Sequence, residues 1–109
     1  MNVEQYASCI DACNRCAAYC DMCAIACLAE AEGAMMAECI RLDTDCAAIC
    51  RLTASFLARD SEYAKQLCQL CAEVCQACSA ECAKHKQDHC QHCARACQQC
   101  AEECRKLAA

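Results

Sequence analysis

Small and apolar residues recur every three or four positions along most of the chain, and polar or charged residues fill the positions between them. This spacing is the period of an amphipathic α-helix. The chain contains no Pro and one Gly, so little interrupts the helical pattern. The pattern predicts an all-α fold in a single domain, an up-down-up-down antiparallel four-helix bundle. The predicted helices span residues of about 3–30, 34–58, 61–84 and 88–106.

Capping residues predict where these helices begin and end. Gly33 is expected to act as the C′ residue or hinge after the first helix, because glycine has no Cβ to oppose a left-handed conformation. The candidate N-terminal caps are Asn2 with Gln5, Asp60 or Ser61, and Asp88 with Gln91.

Cysteine is the residue that repeats on the predicted inner seams. The first helix has six cysteines that step by 4, 3, 4, 3 and 4 residues, and the third and fourth helices each have five that step by 3, 4, 3 and 4. Residues at this spacing share one helix face, so the four seams are expected to place 19 thiols in one lumen. The thiols are those of Cys9, Cys13, Cys16, Cys20, Cys23, Cys27, Cys39, Cys46, Cys50, Cys68, Cys71, Cys75, Cys78, Cys82, Cys90, Cys93, Cys97, Cys100 and Cys104.

The second helix has the fewest thiols. The same step through it gives Met36, Cys39, Asp43, Cys46, Cys50, Thr53 and Leu57. Its seam is therefore rich in thiols in the first half and resembles an ordinary core in the second. Asp43 is interpreted as a hydrogen-bond partner or a partly solvated group rather than a metal ligand. Beside the seams, Ile10, Ile49 and Phe56 belong to second apolar rows, interpreted as a wider core stripe, with a contact between bundles as the alternative.

A content of 19 cysteines in 109 residues is typical of secreted disulfide scaffolds. Three features oppose that class: the N-terminal sequence lacks the pattern of an export signal, the number of cysteines is odd, and cysteines one helical turn apart are too distant for a disulfide. Reduced thiols in the cytoplasm are therefore expected. No membrane span is expected, and a net charge of −5 without a basic cluster argues against nucleic acid.

So dense an array of thiols is expected to bind metal, because Leu fills a helix seam without the risk of oxidation. Soft thiolates select Cu(I), Zn(II) or iron–sulfur clusters. Four tetrahedral Zn(II) sites would place about eight negative charges in a dry lumen. Cu(I) accepts two or three thiolates, and an array with one copper per thiolate is neutral. An iron–sulfur cubane needs an irregular loop, which a helix seam does not provide.

Three stretches of the chain resemble the cytosolic copper storage proteins, a family of cysteine-lined four-helix bundles that hold many Cu(I) ions. They are the cysteine seam of the first helix, AECIRLDTDCAAICRL in the second, and KHKQDHCQHCARACQQCAEEC at the end. The resemblance implies a cytoplasmic store of multiple Cu(I) ions and a homotetramer of bundles. A protein that delivers or accepts copper is a further implied partner.

Three other functional classes are alternatives to copper storage. A metallothionein-like buffer of zinc and copper is the main alternative, and an iron–sulfur electron carrier is the second. An enzyme is not expected, because no thiol is singled out by a base and an orienting group.

In this topology the first and third connections lie at the same end of the bundle. That end carries Met35, Met36, His85 and His89 beside the outermost thiols. We expect copper to enter there and to pass inward by thiolate exchange, with His85 and His89 as candidate ligands or gates. His92 lies beside the seam and is expected to be solvated. The opposite end is expected to be plugged by Thr53, Phe56, Leu57 and Leu67.

Overall fold

The computed structural model describes residues 3–31 and 33–108. The four helices are α1 (Val3–Leu28), α2 (Ala37–Ala58), α3 (Ala64–Ala83) and α4 (Asp88–Ala108), and a 3₁₀ helix at Gly33–Met36 precedes α2. Each helix packs against the next along the chain and α4 packs against α1, whereas in the described residues diagonal helices meet only through side chains. The bundle measures 47 × 17 × 17 Å. The predicted up-down-up-down bundle is confirmed.

The end of α1 differs from the predicted one. The helix ends at Leu28, and its last turn is closed by bonds from the N–H groups of Ala29 and Glu30 to carbonyls three residues earlier, at 3.1 and 3.2 Å. Gly33 has no positive φ and begins the 3₁₀ helix, so the expectation of a left-handed C′ glycine is wrong. The closing bonds remove the need for that conformation. The predicted cap residue Asn2 lies outside the described residues.

The start of α3 comes three residues later than the predicted position 61. Asp60 does not cap the helix: it takes a φ of 52° and ends the turn after α2, where its N–H donates to the carbonyl of Leu57 at 3.0 Å. Ser61 caps the turn that leads into α3, because its Oγ accepts a hydrogen bond from the N–H of Tyr63 at 3.1 Å. Neither residue caps α3 itself, because its N-cap position is Tyr63 and no side chain makes the capping hydrogen bond.

The connection from α3 to α4 is held by a side chain rather than by the predicted capping box. The amide of Gln91 donates to the backbone carbonyls of Ala83 and His85, at 3.2 and 2.6 Å. Asp88 is the first residue of α4 instead of its cap. Gln91 therefore satisfies carbonyls left open at the end of α3 and ties the two helices together at this end of the bundle.

The core of the bundle consists mainly of cysteine and alanine. The large side chains that are fully buried are Met36, Leu57, Thr53 and Asp43. Ile10, Ile49 and Phe56 are partly buried against this core, which supports the interpretation of the second apolar rows as a wider core stripe. Because thiols pack as small apolar groups, the core holds together without the usual aliphatic side chains.

Candidate metal centre

The lumen of the bundle is lined by sulfur. All 19 cysteines are free thiols with an exposed fraction of 0%. Thiols one turn apart on a helix lie close together, as do Cys16 and Cys20, whose Sγ atoms are 4.0 Å apart. Some thiols on neighbouring helices lie closer, with Sγ separations of 3.5 Å for Cys16 and Cys97 and 3.3 Å for Cys39 and Cys82. The seams predicted from the cysteine spacing therefore meet on one axis.

The thiols form sets of four that share members. In each set all four Sγ atoms lie within 4.8 Å of one another. One set contains Cys16, Cys46, Cys50 and Cys75, and another contains Cys16 and Cys46 together with two different thiols. A metal bound in one set would therefore use sulfurs that its neighbour also needs. This arrangement favours metal ions joined by bridging thiolates over separate four-thiolate sites.

Asp43 interrupts the sulfur lining. It is the only acidic or basic side chain that is fully buried among the described residues. Its Oδ1 accepts hydrogen bonds from the thiols of Cys78, Cys93 and Cys82 at 3.2, 3.3 and 3.4 Å, and Cys39 donates to Oδ2 at 3.8 Å. The interpretation of Asp43 as a hydrogen-bond partner is confirmed, and the alternative of partial solvation is wrong.

Burial favours the neutral forms of Asp43 and of the thiols of Cys27 and Cys90. It raises the pKa of the Asp43 carboxyl to about 8, with a further contribution from the nearby Cys93 and Cys39 thiols. Burial likewise raises the pKa of the Cys90 thiol to about 11 and raises that of Cys27. At neutral pH the thiols of Cys27 and Cys90 therefore hold their protons, and a metal ion that binds them must displace those protons.

His89 reaches from the first turn of α4 to the outermost thiols. Its Nδ1 lies 3.4 Å from Sγ of Cys23 and 3.6 Å from Sγ of Cys90, and its Nε2 lies 2.8 Å from Oε1 of Glu30. Carboxylate, imidazole and thiol thus form a series that leads inward. The expectation that no thiol has a base and an orienting group beside it is wrong for Cys23, because the fold brings Glu30 over a histidine 59 residues away in sequence.

The other predicted residues of this end surround a cleft. Met36 is buried, whereas Met35 is 70% exposed. Nε2 of His85 lies 2.9 Å from Oε2 of Glu81, and this contact lowers the pKa of Glu81. The cleft has a volume of about 330 Å³ and is lined by Met35, Met36, Lys84, His85, Lys86 and Gln87. The structure thus places His85 beside a carboxylate at the mouth and His89 beside the thiols.

His92 lies outside the lumen, as expected. It is exposed, and its Nδ1 accepts a hydrogen bond from Arg95 at 2.8 Å. The two glutamates that hold the other histidines are not among the residues predicted from the sequence. Glu81 precedes His85 by one helical turn, so the spacing contained a signal for this pair. Glu30 meets its histidine only through the tertiary fold, and no local pattern indicates it.

Buried Leu57 and Thr53 lie at the end of the lumen opposite the histidines. Leu57 is 2% exposed and Thr53 is fully buried, with its Oγ1 donating to the carbonyl of Ile49 at 2.7 Å. That bond leaves the methyl group of Thr53 for apolar packing. The outermost thiols at this end, Cys9 of α1 and Cys104 of α4, have Sγ atoms 3.7 Å apart. The lumen therefore has one end with soft ligands and one end with apolar side chains.

The sequence of the chain matches a known protein family. A family model described as copper storage protein matches residues 2–109. The chain belongs to the copper storage protein family. The resemblance inferred from the cysteine stretches is thereby confirmed. Within the described residues, no helix combines the length and the apolar character needed to cross a bilayer.

Relatives of the chain include members with known structures. The cysteine-rich protein YhjQ of Bacillus subtilis (strain 168) is 48% identical over 88 residues, which cover 80% of this chain and 82% of that protein. The Cu(I)-bound copper storage protein BsCsp3 is 47% identical, covers 96% of this chain and 99% of its own, and superposes with a TM-score of 0.92. A cytosolic copper storage protein from Streptomyces lividans, described with five coppers, is 44% identical over 96% of this chain and 92% of its own, with a TM-score of 0.93.

Proposed function

We propose that this protein stores multiple Cu(I) ions in the cytoplasm, held by the thiolates that line its lumen. The observation that carries the proposal is the array of 19 buried thiols, many of which form sets of four that share members. Thiolate is the soft ligand that Cu(I) prefers. Membership of the family, and relatives described as Cu(I)-bound and as cytosolic, support the same function.

All 19 thiols are proposed to bind copper. Each sulfur bridges two ions and each ion takes two sulfurs, which gives a capacity of roughly one copper per thiol. Because each Cu(I) replaces one proton, the filled array of copper and thiolate is neutral. Zn(II) lacks this balance: a four-thiolate zinc site has a charge of about −2, and the described lumen contains no Lys or Arg to offset it.

Anaerobic titration of the reduced protein with Cu(I), against a competing chelator, tests the storage function. We expect saturation at roughly one copper per thiol, release of about one proton per copper, and displacement of Zn(II) that was added first. Saturation at about four or five Cu(I), or Zn(II) that withstands Cu(I), would defeat the proposal and favour a metallothionein-like buffer. Bound sulfide and visible charge-transfer colour in the purified protein would indicate an iron–sulfur carrier instead.

Copper is proposed to enter at the histidine and methionine end, with His85 and His89 as transient ligands. His89 already lies within 3.4 Å of a thiol, and its other nitrogen contacts Glu30, so it is oriented to pass a metal ion inward. His85 and Met35 line the cleft at the mouth, where an incoming ion would first meet soft ligands.

Replacing His85 and His89 together by Ala is expected to slow copper loading several-fold without lowering the final capacity, because thiolates hold the stored ions. Stopped-flow absorbance of the copper–thiolate bands measures the rate. His92→Ala, on the outer surface, is the matched control and should load at the wild-type rate. An unchanged rate in the double variant would refute this entrance while leaving the storage function intact.

The store is proposed to be non-catalytic. The series from Glu30 through His89 to Cys23 resembles the activation of a nucleophile, but Cys23 has an exposed fraction of 0%, which leaves an organic substrate no access. A protein that delivers or removes copper is proposed to act at the mouth. The homotetramer implied by the family resemblance is a further proposal, and sedimentation of the reduced protein tests it.

A further inference from the structure

A cleft on the outside of the bundle brings two arginines together. Arg15 of α1 and Arg95 of α4 lie on opposite sides of it. The cleft has a volume of about 230 Å³ and is lined by Arg15, Tyr19, His92, Arg95, Ala96 and Gln99. We propose that it binds a small tetrahedral oxyanion of the phosphate class. The proposal is independent of copper storage, because none of these residues lies in the lumen.

The two guanidinium groups have no carboxylate partner in the described chain. Arg41 and Arg51 form ion pairs with Glu38 and Asp21, whereas no such pair within 4.0 Å includes Arg15 or Arg95. The protein as a whole has a net charge of −5. Two unneutralised cations in one concave site therefore form a local positive field within an acidic protein, and such a field attracts anions.

Neighbouring aromatic rings hold both arginines in place. Arg15 donates to Oη of Tyr19 at 3.4 Å and lies over its ring, 5.1 Å from the centroid. Arg95 donates to Nδ1 of His92 at 2.8 Å, so a neutral His92 has its proton on Nε2 and is itself a donor. The ring centroids of Tyr19 and His92 lie 6.4 Å apart, so the two rings connect the α1 side and the α4 side of the cleft. The donors are thus positioned before any ligand binds.

Arg15 is directed toward this cleft although carboxylates lie nearby. Asp11 and Glu103 line an adjoining depression of about 180 Å³ together with Arg15, yet the guanidinium bonds to Tyr19. A guanidinium has five N–H donors, and the observed contacts use one from each arginine. Most of the donors of both arginines therefore remain for a ligand.

The size of the cleft and the types of donor select the ligand class. Guanidinium groups match pairs of oxygens on phosphate or carboxylate. A volume of about 230 Å³ lies below the ~300–1,000 Å³ of pockets for drug-sized molecules, so one small anion with its waters fits better than a nucleotide. The donors come from two helices and so can contact different oxygens of one anion. That arrangement suits a tetrahedral anion better than a planar carboxylate.

Thermal unfolding of the reduced protein in inorganic phosphate tests the proposal. A ligand that binds only the folded state raises the unfolding midpoint, so phosphate should produce a saturable rise beyond that in sodium chloride of equal ionic strength. The variant R15Q/R95Q should lose this rise. The matched control R41Q/R51Q removes the same charge from exposed positions elsewhere and should retain it.

NMR of the arginine side chains gives a second measurement that does not depend on stability. Phosphate should shift the Nε–Hε resonances of Arg15 and Arg95, and each single change to Gln should weaken binding about tenfold. Equal effects of phosphate and chloride, or an unchanged phosphate response in R15Q/R95Q, would overturn the site. Acetate that binds as tightly as phosphate would overturn the tetrahedral class. The copper titration described above would be unaffected by either result.

Discussion

Replacing Cys16, Cys46 and Cys97 together by Ala is expected to split copper loading into two phases. These thiols come from three helices near the middle of the lumen, with Sγ separations of 3.5 to 3.9 Å. Removing them interrupts the path along which copper passes from thiolate to thiolate. The half nearest the histidines should fill at the wild-type rate. The far half should fill at least about tenfold more slowly, the effect of ~1.4 kcal/mol in the transfer barrier.

Stopped-flow absorbance of the copper–thiolate bands resolves the two phases. The matched control replaces Cys9, Cys68 and Cys104, which lie at the end opposite the histidines and are equally buried. This control should lose about three coppers of capacity, at roughly one per thiol, and should show no slow phase. Circular dichroism of both metal-free variants checks that the helices persist. A single phase in the mid-lumen variant would contradict filling from one end.

The variant Asp43→Asn is expected to remove most of the pH dependence of folding stability between about pH 4 and pH 8. An unfolded Asp has a pKa of about 3.9, whereas burial raises that of folded Asp43 to about 8. The folded state therefore binds the proton more tightly. The stability that this proton confers is complete below about pH 4 and is lost as the pH rises through about 8. As the pH rises from about 4 to about 8, the free energy of unfolding of the wild type should fall by on the order of 3 kcal/mol more than that of the variant. This figure is smaller than the full pKa shift would give, because the polar groups around Asp43 weaken the effect.

Urea unfolding of the reduced, metal-free protein at pH 5 and pH 8 measures this difference. Asn keeps the shape of the side chain and a carbonyl oxygen that accepts from Cys78, Cys82 and Cys93, so packing is preserved. The exposed Asp45→Asn, two residues along α2, removes the same charge and serves as the control. If wild type and Asp43→Asn lose equal stability between the two pH values, Asp43 is ionised in the folded protein at both.

The cysteine spacing was sufficient to predict the bundle and its lumen. A step of three and four residues fixes one helix face, and four such faces on connected helices have one arrangement that buries them all. Asp43 was predicted correctly as a member of the seam for the same reason. Cys39 lies one turn earlier on α2, but the other three thiol donors come from α3 and α4, so those contacts and the depth of Asp43 required the fold.

The sequence pattern could not predict features that depend on tertiary contacts or on the backbone hydrogen bonds that end a helix. Glu30 follows α1 in a turn whose path depends on how α1 and α2 meet, so its contact with His89 has no local signature. Gly33 carried a strong local signal for a left-handed cap, yet two backbone bonds closed the helix before it. Gln91 was likewise expected to cap the backbone N–H groups at the start of α4, but its side chain donates to carbonyls at the end of the preceding helix.

The regular alternation of three and four residues along the helices has a consequence for design. One heptad lengthens a helix by about 10.5 Å and adds two seam positions. Adding a heptad to each of the four helices would extend the 47 Å bundle by about 10.5 Å and would supply about eight further thiols. The bundle can therefore be lengthened in steps of one heptad, and the volume of its lumen depends on helix length alone. A protein that places its ligands on loops would need a newly shaped loop for every added metal ion.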